Sequence, residues 1–256
     1  MEKCNLCRIK SELCNSHAIP DSVFRSLFKK GNGQAIKLSS NERSPNCKSQ
    51  DSWATEQLCN RCETKLNINY DQYGLNLLRG KVGEIEKGSE GVYFLNIDTL
   101  KFRSFVLSVF WRGAVSEHEN YKTIEVSSGF LELIRSSLVR SAKVSKNSCT
   151  VFVQRLVDTT EGGFSESNLR ELVVSPFPRT YEVRGHLYSS ITMIFLGFCF
   201  EIFPSPIHSS EKISQFALGS CKSSYTFPYL EITEIPEVLD LMVSSLRKVN
   251  QGLSNV

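Results

Sequence analysis

The sequence predicts an α+β protein, in which a cysteine-bearing N-terminal module precedes helices and a mainly antiparallel sheet. Two Cys-x-x-Cys pairs in the first quarter of the chain mark the first part. Apolar residues at helical spacing, followed by several strand-like apolar runs, mark the second part. Helices that precede strands in this order are typical of α+β domains. We place the boundary in the charged, glycine-bearing segment 80–91, which gives modules of residues 1–80 and 81–256.

The two Cys-x-x-Cys pairs predict a structural zinc site. Each pair can present two thiolates on a tight turn, and four thiolates complete a tetrahedral site with no open position for a substrate. An alternative set replaces the second pair by Cys14 and His17, because Cys14-x-x-His17 also has ligand spacing, but it leaves the second pair without a role. The expected ligands are Cys4, Cys7, Cys59 and Cys62.

The segment between the pairs predicts a short helix and a long loop. Asp21 and Ser22 can cap an amphipathic helix that the run Gly31-Asn32-Gly33 ends. Residues 37–52 are rich in Ser, Asn, Lys and Arg and nearly free of large apolar groups, so an exposed loop is expected there. After the second pair, residues 64–78 have a helical pattern.

The second module predicts helices first and strands afterwards. Apolar residues at helical spacing favour helices over about 99–114 and 128–140, and Pro236 begins a terminal helix. Trp111 and Arg112 are interpreted as a core tryptophan and an arginine paired to a carboxylate. Four strand-like runs follow the second helix: 149–157, 171–174, 188–203 and 225–233.

Composition predicts a cytoplasmic protein without a membrane partner. The chain has nine cysteines and no signal peptide at its start, which indicates a reducing compartment. Its longest apolar run, 191–203, is too short to span a bilayer. The remaining cysteines are interpreted as a free surface thiol, Cys47, and as small buried hydrophobic residues, Cys149, Cys199 and Cys221.

Basic residues of the first module are candidates for contact with phosphates. The formal net charge of the whole chain is only +3, but residues 1–80 carry 12 Lys and Arg against 8 Asp and Glu. Such a local excess favours nucleic acid as a partner, although a solvated surface explains the same charges. The candidates are Arg8, Lys10, Arg25, Lys29, Lys30, Arg43, Arg61 and Lys65.

Motifs within residues 4–75 resemble the zinc-stapled HNH (His-Me finger) nucleases. They are the first Cys-x-x-Cys pair, Ser16-His17-Ala18-Ile19-Pro20, and Leu58-Cys59-Asn60-Arg61-Cys62-Glu63. The chain more closely resembles a bacterial HNH-like subgroup with Ser-His-x-Ile-Pro and Leu-Cys-x-x-Cys-Glu. The resemblance implies a treble-clef frame held by zinc, in which His17 is a general base that activates water against a phosphodiester. Magnesium or manganese would stabilise the leaving oxygen.

Three positions depart from the pattern of that family. The acidic residue expected before the histidine is Ser16, and the asparagine that orients the histidine is replaced by Ala54. The histidine or asparagine expected after the second pair is Glu63, whose carboxylate can ligate magnesium, so we assign it to the catalytic site with His17. Alternative orienting groups are Asn41, Asn46 and Glu56.

The resemblance predicts a metal-dependent nuclease that hydrolyses DNA or RNA, with bacterial anti-phage defence as its setting. An alternative is a zinc module that has lost catalysis and binds nucleic acid or a protein partner. A third interpretation makes the C-terminal part an assembly interface, for a partner or a homo-oligomer. The non-catalytic interpretations of His17 and Glu63 are a structural histidine and a carboxylate favoured at a helix start. No Walker, dinucleotide-binding, Gly-x-Ser-x-Gly or His-Glu-x-x-His motif is present.

Overall fold

The computed structural model describes residues 1–39, 41–42, 44–183, 185–207 and 216–254. Before residue 80, these residues form short two-stranded sheets and helices. Five π-helical residues, Asn67–Asp71, join the last two helices of this part. Its elements are β1 (Glu2–Lys3), β2 (Lys10–Ser11), β3 (Cys14–His17), α1 (Asp21–Lys30), β4 (Ala35–Lys37), β5 (Cys47–Ser49), β6 (Ala54–Leu58), α2 (Asn60–Leu66) and α3 (Gln72–Leu78).

The remaining residues form helices and one seven-stranded sheet. Short 3₁₀ turns at Glu119–Tyr121 and Ile232–Glu234 connect some of these elements. The elements are β7 (Glu84–Lys87), β8 (Gly91–Leu95), α4 (Thr99–Ala114), α5 (Ser128–Arg140), β9 (Thr150–Val157), α6 (Glu166–Leu169), β10 (Val174–Val183), β11 (His186–Phe195), β12 (Phe198–Phe203), β13 (Ser224–Glu231) and α7 (Pro236–Asn250).

The large sheet confirms the predicted mainly antiparallel arrangement. Its strand order is β10-β11-β12-β9-β13-β8-β7, and only the pair β9–β13 is parallel. The predicted single strand 188–203 is wrong, because β11 and β12 form a hairpin there. Leu196 and Gly197 make its two-residue turn, both with positive φ (54° and 76°). The predicted strand 171–174 is also misplaced, since β10 begins only at Val174.

Helix α4 connects the two parts of the chain. Its observed bounds confirm the prediction, and the Asp98 carboxylate caps it by accepting a hydrogen bond from the Lys101 backbone N–H at 2.9 Å. The helix is buried along most of its length. A Cβ at Gly74 of α3 would lie 2.1 Å from Phe105, so only glycine allows the two helices to approach this closely.

One cluster of buried apolar residues contains side chains from both sides of residue 80. Leu6, Ile19 and Leu66 belong to it together with Phe200 and Phe227. The division into modules of residues 1–80 and 81–256 therefore stays a prediction.

The described residues of 37–52, the segment predicted as an exposed loop, are more ordered than its composition indicates. It contains part of the hairpin of β4 and β5, and Asn46 is buried. The Asn46 side-chain amide donates to the carbonyl of Ser245 in α7 at 3.2 Å and to its hydroxyl at 2.8 Å. These bonds attach the segment to the C-terminal helix, which a local reading of composition cannot detect.

Two local predictions in the first part need correction. Pro20, not Asp21 or Ser22, occupies the N-cap position of α1, and its fixed φ (−55°) starts the helix without a side-chain cap. Gly31 follows the last residue of α1, as predicted. The helix predicted at 64–78 begins earlier, since α2 starts at Asn60, directly after Cys59.

The cysteines outside the zinc pairs follow the prediction in part. Cys149 and Cys199 are buried, as expected, and Cys47 is free and half-buried. Cys221 is exposed, so the prediction that it is a buried hydrophobic residue is wrong. It lies immediately before β13, outside the sheet, and its thiol contacts the Ser224 hydroxyl at 3.2 Å.

Candidate functional site

The four expected zinc ligands lie together at the start of α2. Their Sγ atoms are all within 4.8 Å of one another. Cys4 and Cys7 come from the turn between β1 and β2, while Cys59 is the N-cap residue of α2 and Cys62 lies in its first turn. The sequence spacing therefore identified residues that the fold brings together.

Backbone hydrogen bonds shape this cluster. The Cys59 N–H donates to Cys4 Sγ at 3.3 Å, and the Asn5 N–H donates to the carbonyl of Gln57 at 3.0 Å. Burial opposes ionisation of the Cys59 thiol, but hydrogen bonds from Cys62 and the neighbouring thiols lower its pKa to about 7. Burial raises the pKa of Cys62.

The donor set fits a metal ion such as zinc. Zinc–sulfur bonds of about 2.3 Å in a tetrahedron separate the sulfurs by about 3.8 Å. Cys7 Sγ and Cys59 Sγ are 3.9 Å apart, much farther than the roughly 2 Å of a disulfide. In the described part of the chain no metal-binding group includes Cys14 and His17, so the alternative ligand set is wrong.

Both residues assigned to catalysis line one cleft beside the cysteine cluster. The cleft has a volume of about 250 Å³. His17 enters it from the end of β3, Glu63 from the first turn of α2, and Arg112 from α4. Its other lining residues are Pro20, Asp21, Ser22, Arg25, Thr64, Asn67, Asp71 and Leu75.

The His17 imidazole is largely buried and is held by two oxygens. Its Nε2 lies 2.9 Å from Ser52 Oγ and 3.6 Å from Asp21 Oδ1. Burial lowers the pKa of His17, and Arg112 and Arg25 act in the same direction, while Asp21 opposes them. Both oxygens contact the same ring nitrogen, so these residues do not form a Ser-His-Asp triad, which needs one contact at each nitrogen.

Ser52 is a residue that sequence reasoning missed. Ala54 lies directly opposite His17 in the β3–β6 pair, and its methyl group cannot hydrogen-bond the ring. Asn46, one of the proposed orienting groups, contacts Ser245 instead. The hydroxyl of Ser52, two residues before Ala54, contacts the imidazole. No sequence signal distinguishes it from the other serines of 37–52.

The Glu63 carboxylate lies near the positively charged Arg112, but it is buried, which disfavours its charged form. Burial raises its pKa, whereas the positive charge of Arg112 opposes that shift. Its Oε2 is buried without a hydrogen-bond partner in the described part of the chain. A buried oxygen in this state lacks a contact that a ligand in the cleft would supply.

A buried ion pair lies behind the cleft. Arg112 Nη1 and Nη2 donate to the two Asp71 carboxylate oxygens at 2.9 Å and 2.6 Å. Burial opposes the charge of Arg112, but Asp71 outweighs it and raises the arginine pKa. With Trp111 fully buried, these contacts confirm the interpretation of both residues. Asp71 itself was not foreseen, because it faces inward only through the π-helical turn.

The basic residues expected to contact phosphates are not gathered at the cleft. Arg25 lines it and pairs with Asp21 at 2.8 Å. Lys10, Lys29 and Arg61 are exposed elsewhere, and Arg43 lies outside the described residues. Others are attached to distant parts of the chain: Arg8 to Glu132, Lys30 to Glu171, and Lys65 to the carbonyl of Val139.

Comparisons with known proteins give no family for this chain. No family model, no curated protein and no solved structure matches it. Among the described residues, no helix is long and apolar enough to cross a membrane. Function must therefore be argued from the cysteine cluster and the His17 cleft.

Proposed function

We propose that this protein is a metal-dependent nuclease of the HNH type. The observation that carries the proposal is the meeting of His17 and Glu63 in one cleft, next to the four-cysteine cluster. One cysteine pair lies on a turn before β3, and the other lies at the start of α2, after a long segment and β6. This order agrees with the treble-clef frame that the sequence resemblance implies. Zinc is the structural ion of this frame.

His17 is the general base in this proposal. Its pKa is lowered by burial, so the ring is neutral near pH 7 and can accept a proton from water. Ser52 holds the ring in place from 2.9 Å. Asp21, 3.6 Å from Nε2, stabilises the imidazolium that forms when the proton arrives.

Glu63 is the residue of this cleft that would hold a divalent cation. Its unpartnered Oε2 is a hard oxygen donor, and magnesium commonly uses only one or two protein carboxylates together with substrate phosphates. Magnesium or manganese, when bound, supplies stabilisation of the charge that develops on the leaving oxygen. Arg112 contributes fixed positive charge beside the same carboxylate.

A second candidate function is nucleic-acid or partner binding without cleavage. One observation favours it: Ser16, which replaces the acidic residue expected before the histidine, is fully buried and donates to the Cys14 carbonyl. In the described part of the chain, only the four cysteines form a group of three or more metal ligands. A cation at Glu63 would therefore depend on the substrate for most of its other ligands.

Cleavage assays separate the two functions. The full chain is incubated with plasmid, single-stranded DNA and RNA in magnesium or manganese. We expect cleavage by the wild type, loss of cleavage in His17→Ala, and full activity in the matched control His186→Ala, an exposed histidine on β11. Equal cleavage by wild type and His17→Ala would contradict the role of His17. Salt-dependent binding without cleavage by any form would support the second function.

The resemblance also supplies the proposed setting, which is bacterial anti-phage defence in the cytoplasm. Nucleic acid is the proposed substrate.

A further inference from the structure

The outer face of helix α7 is apolar although the fold leaves it exposed. Leu246 is 64% exposed, Val249 54% and Leu239 41%. An adjacent side of the helix is buried and includes Val238, Ser245 and Lys248. The exposed residues, which we call the α7 stripe, are Leu239, Val243, Leu246, Val249 and Leu253.

The α7 stripe has the spacing of a helix-pairing surface. Leu239 and Leu246 are separated by seven residues, and Val243 lies four after Leu239 and three before Leu246, as in a heptad pattern of d and a positions. Leu253 is held beyond the helix end because its N–H donates to the Lys248 carbonyl at 2.8 Å, while Gly252 adopts positive φ.

Contacts on the buried side keep the helix in place. The Asn46 amide donates to Ser245, and the Lys248 ammonium donates to the carbonyl of Ser39. The stripe is therefore presented by an anchored helix rather than by a free end.

Two residues of opposite charge lie beside the α7 stripe, so this surface is complementary to the same surface of a second copy. Asp240 and Arg247 are seven residues apart, so two helical turns place them on the same flank of α7. Neither has an ion-pair partner in the described part of the chain. If two copies of α7 lie antiparallel about a two-fold axis, this flank meets itself in reverse, and Asp240 of each copy faces Arg247 of the other.

We propose that a second copy of this chain docks on the α7 stripe, with the two helices antiparallel and paired through crossed Asp240–Arg247 contacts. A membrane surface fits less well, because the flank beside the stripe carries Asp240 as well as Arg247, whereas interfacial helices are rich in basic residues. The inference does not depend on the proposed nuclease activity.

Sedimentation equilibrium of the zinc-loaded full chain tests the surface. We expect a concentration-dependent dimer that Leu246→Glu weakens at least about tenfold, because a charge replaces a buried leucine at the interface. The matched control is Leu187→Glu, which is 74% exposed on β11 and should leave the dimer unchanged. A monomer up to about 100 μM, or a dimer that Leu246→Glu does not weaken, would overturn the proposal.

Charge reversal tests the antiparallel pairing and does not rely on one variant. Asp240→Arg and Arg247→Asp each create like-charge contacts and should weaken the dimer severalfold, whereas the double variant should return to within about threefold of the wild type. Because both side chains are exposed, each variant should unfold at the wild-type temperature. Failure of the double variant to recover association overturns the antiparallel arrangement.

Discussion

The part of the chain before residue 80 and the seven-stranded sheet differ in what lies at their centres. Among its described residues the first part has only two-stranded sheets, and its four thiols cluster where α2 begins. In the sheet, every residue of β12 is buried, and the rings of Phe195 and Phe200 stack with centroids 4.3 Å apart. We therefore expect a cation held by these thiols to add to the stability of the first part, whereas the sheet depends on apolar packing.

Helix α4 belongs to both regions and shows how they are coupled. Phe105 packs toward Phe195 of β11, whereas Arg112 reaches Asp71 behind the His17 cleft. The packing of a rigid, buried helix thus fixes one wall of the cleft. Loss of the cation should loosen the other wall, which comes from β3 and α2.

Removal of the structural metal should have the largest effect. Zinc binding in small zinc domains contributes about 10–16 kcal/mol of apparent free energy, and most of it stabilises the fold. We expect Cys59→Ser or chelation to abolish zinc binding and to remove amide protection from β3, β6 and α2. Protection in β11 and β12 should remain. Metal analysis and hydrogen exchange measure these changes.

Cys221→Ser is the control for this experiment, because that thiol is exposed and distant in sequence from the cluster. It should leave zinc content and protection unchanged. If chelation removed protection equally from β3 and β12, the two regions would share one source of stability, and the comparison would be wrong.

A cavity in the sheet should have the next largest effect on stability. It should destabilise the sheet and leave the cysteine cluster intact, the reverse of metal removal. Phe200 is fully buried, so Phe200→Ala should lower the free energy of unfolding by about 3–5 kcal/mol. Zinc content should stay at the wild-type level, because the cysteines are held by other elements. Denaturant titration with metal analysis measures both quantities.

The exposed Phe164 supplies the matched substitution. Phe164→Ala should change the free energy of unfolding by no more than about 0.5 kcal/mol. A Phe200→Ala protein that lost its zinc while the sheet stayed folded would contradict the assignment of apolar packing to the sheet.

The same contrast explains which elements could be predicted from the sequence. The helical periodicity of α4 and α5 located both helices with their observed bounds, because apolar residues recur every three to four positions along a helix. Strands β11 and β12 were merged because both faces are buried, so no polar alternation marks the turn. Gly197 was the only local signal of that turn.

The site was predictable only where chemistry and spacing coincide. The cysteines follow a ligand spacing that the fold must satisfy, so they could be identified. His17 and Glu63 were assigned by resemblance, and their shared cleft depends on the pairing of β3 with β6. Ser52 and Asp71 depend on a loop position and a π-helical turn, which leave no periodic signal.

The smallest effect on stability should come from the protonation of His17. Its pKa depends on both regions, because Arg112 of α4 contributes to it. Burial lowers its pKa below the usual value near 6.5, so between these two values the unfolded chain binds more protons than the folded one. The folded state is therefore destabilised as pH falls through 6.5, and the loss is complete below the folded pKa. Comparing unfolding free energies at several pH values between about 5 and 8 tests this. The wild type should lose more stability on acidification than His17→Gln, which has no imidazole to protonate. An identical pH dependence in both proteins would show that His17 is not desolvated in the folded state.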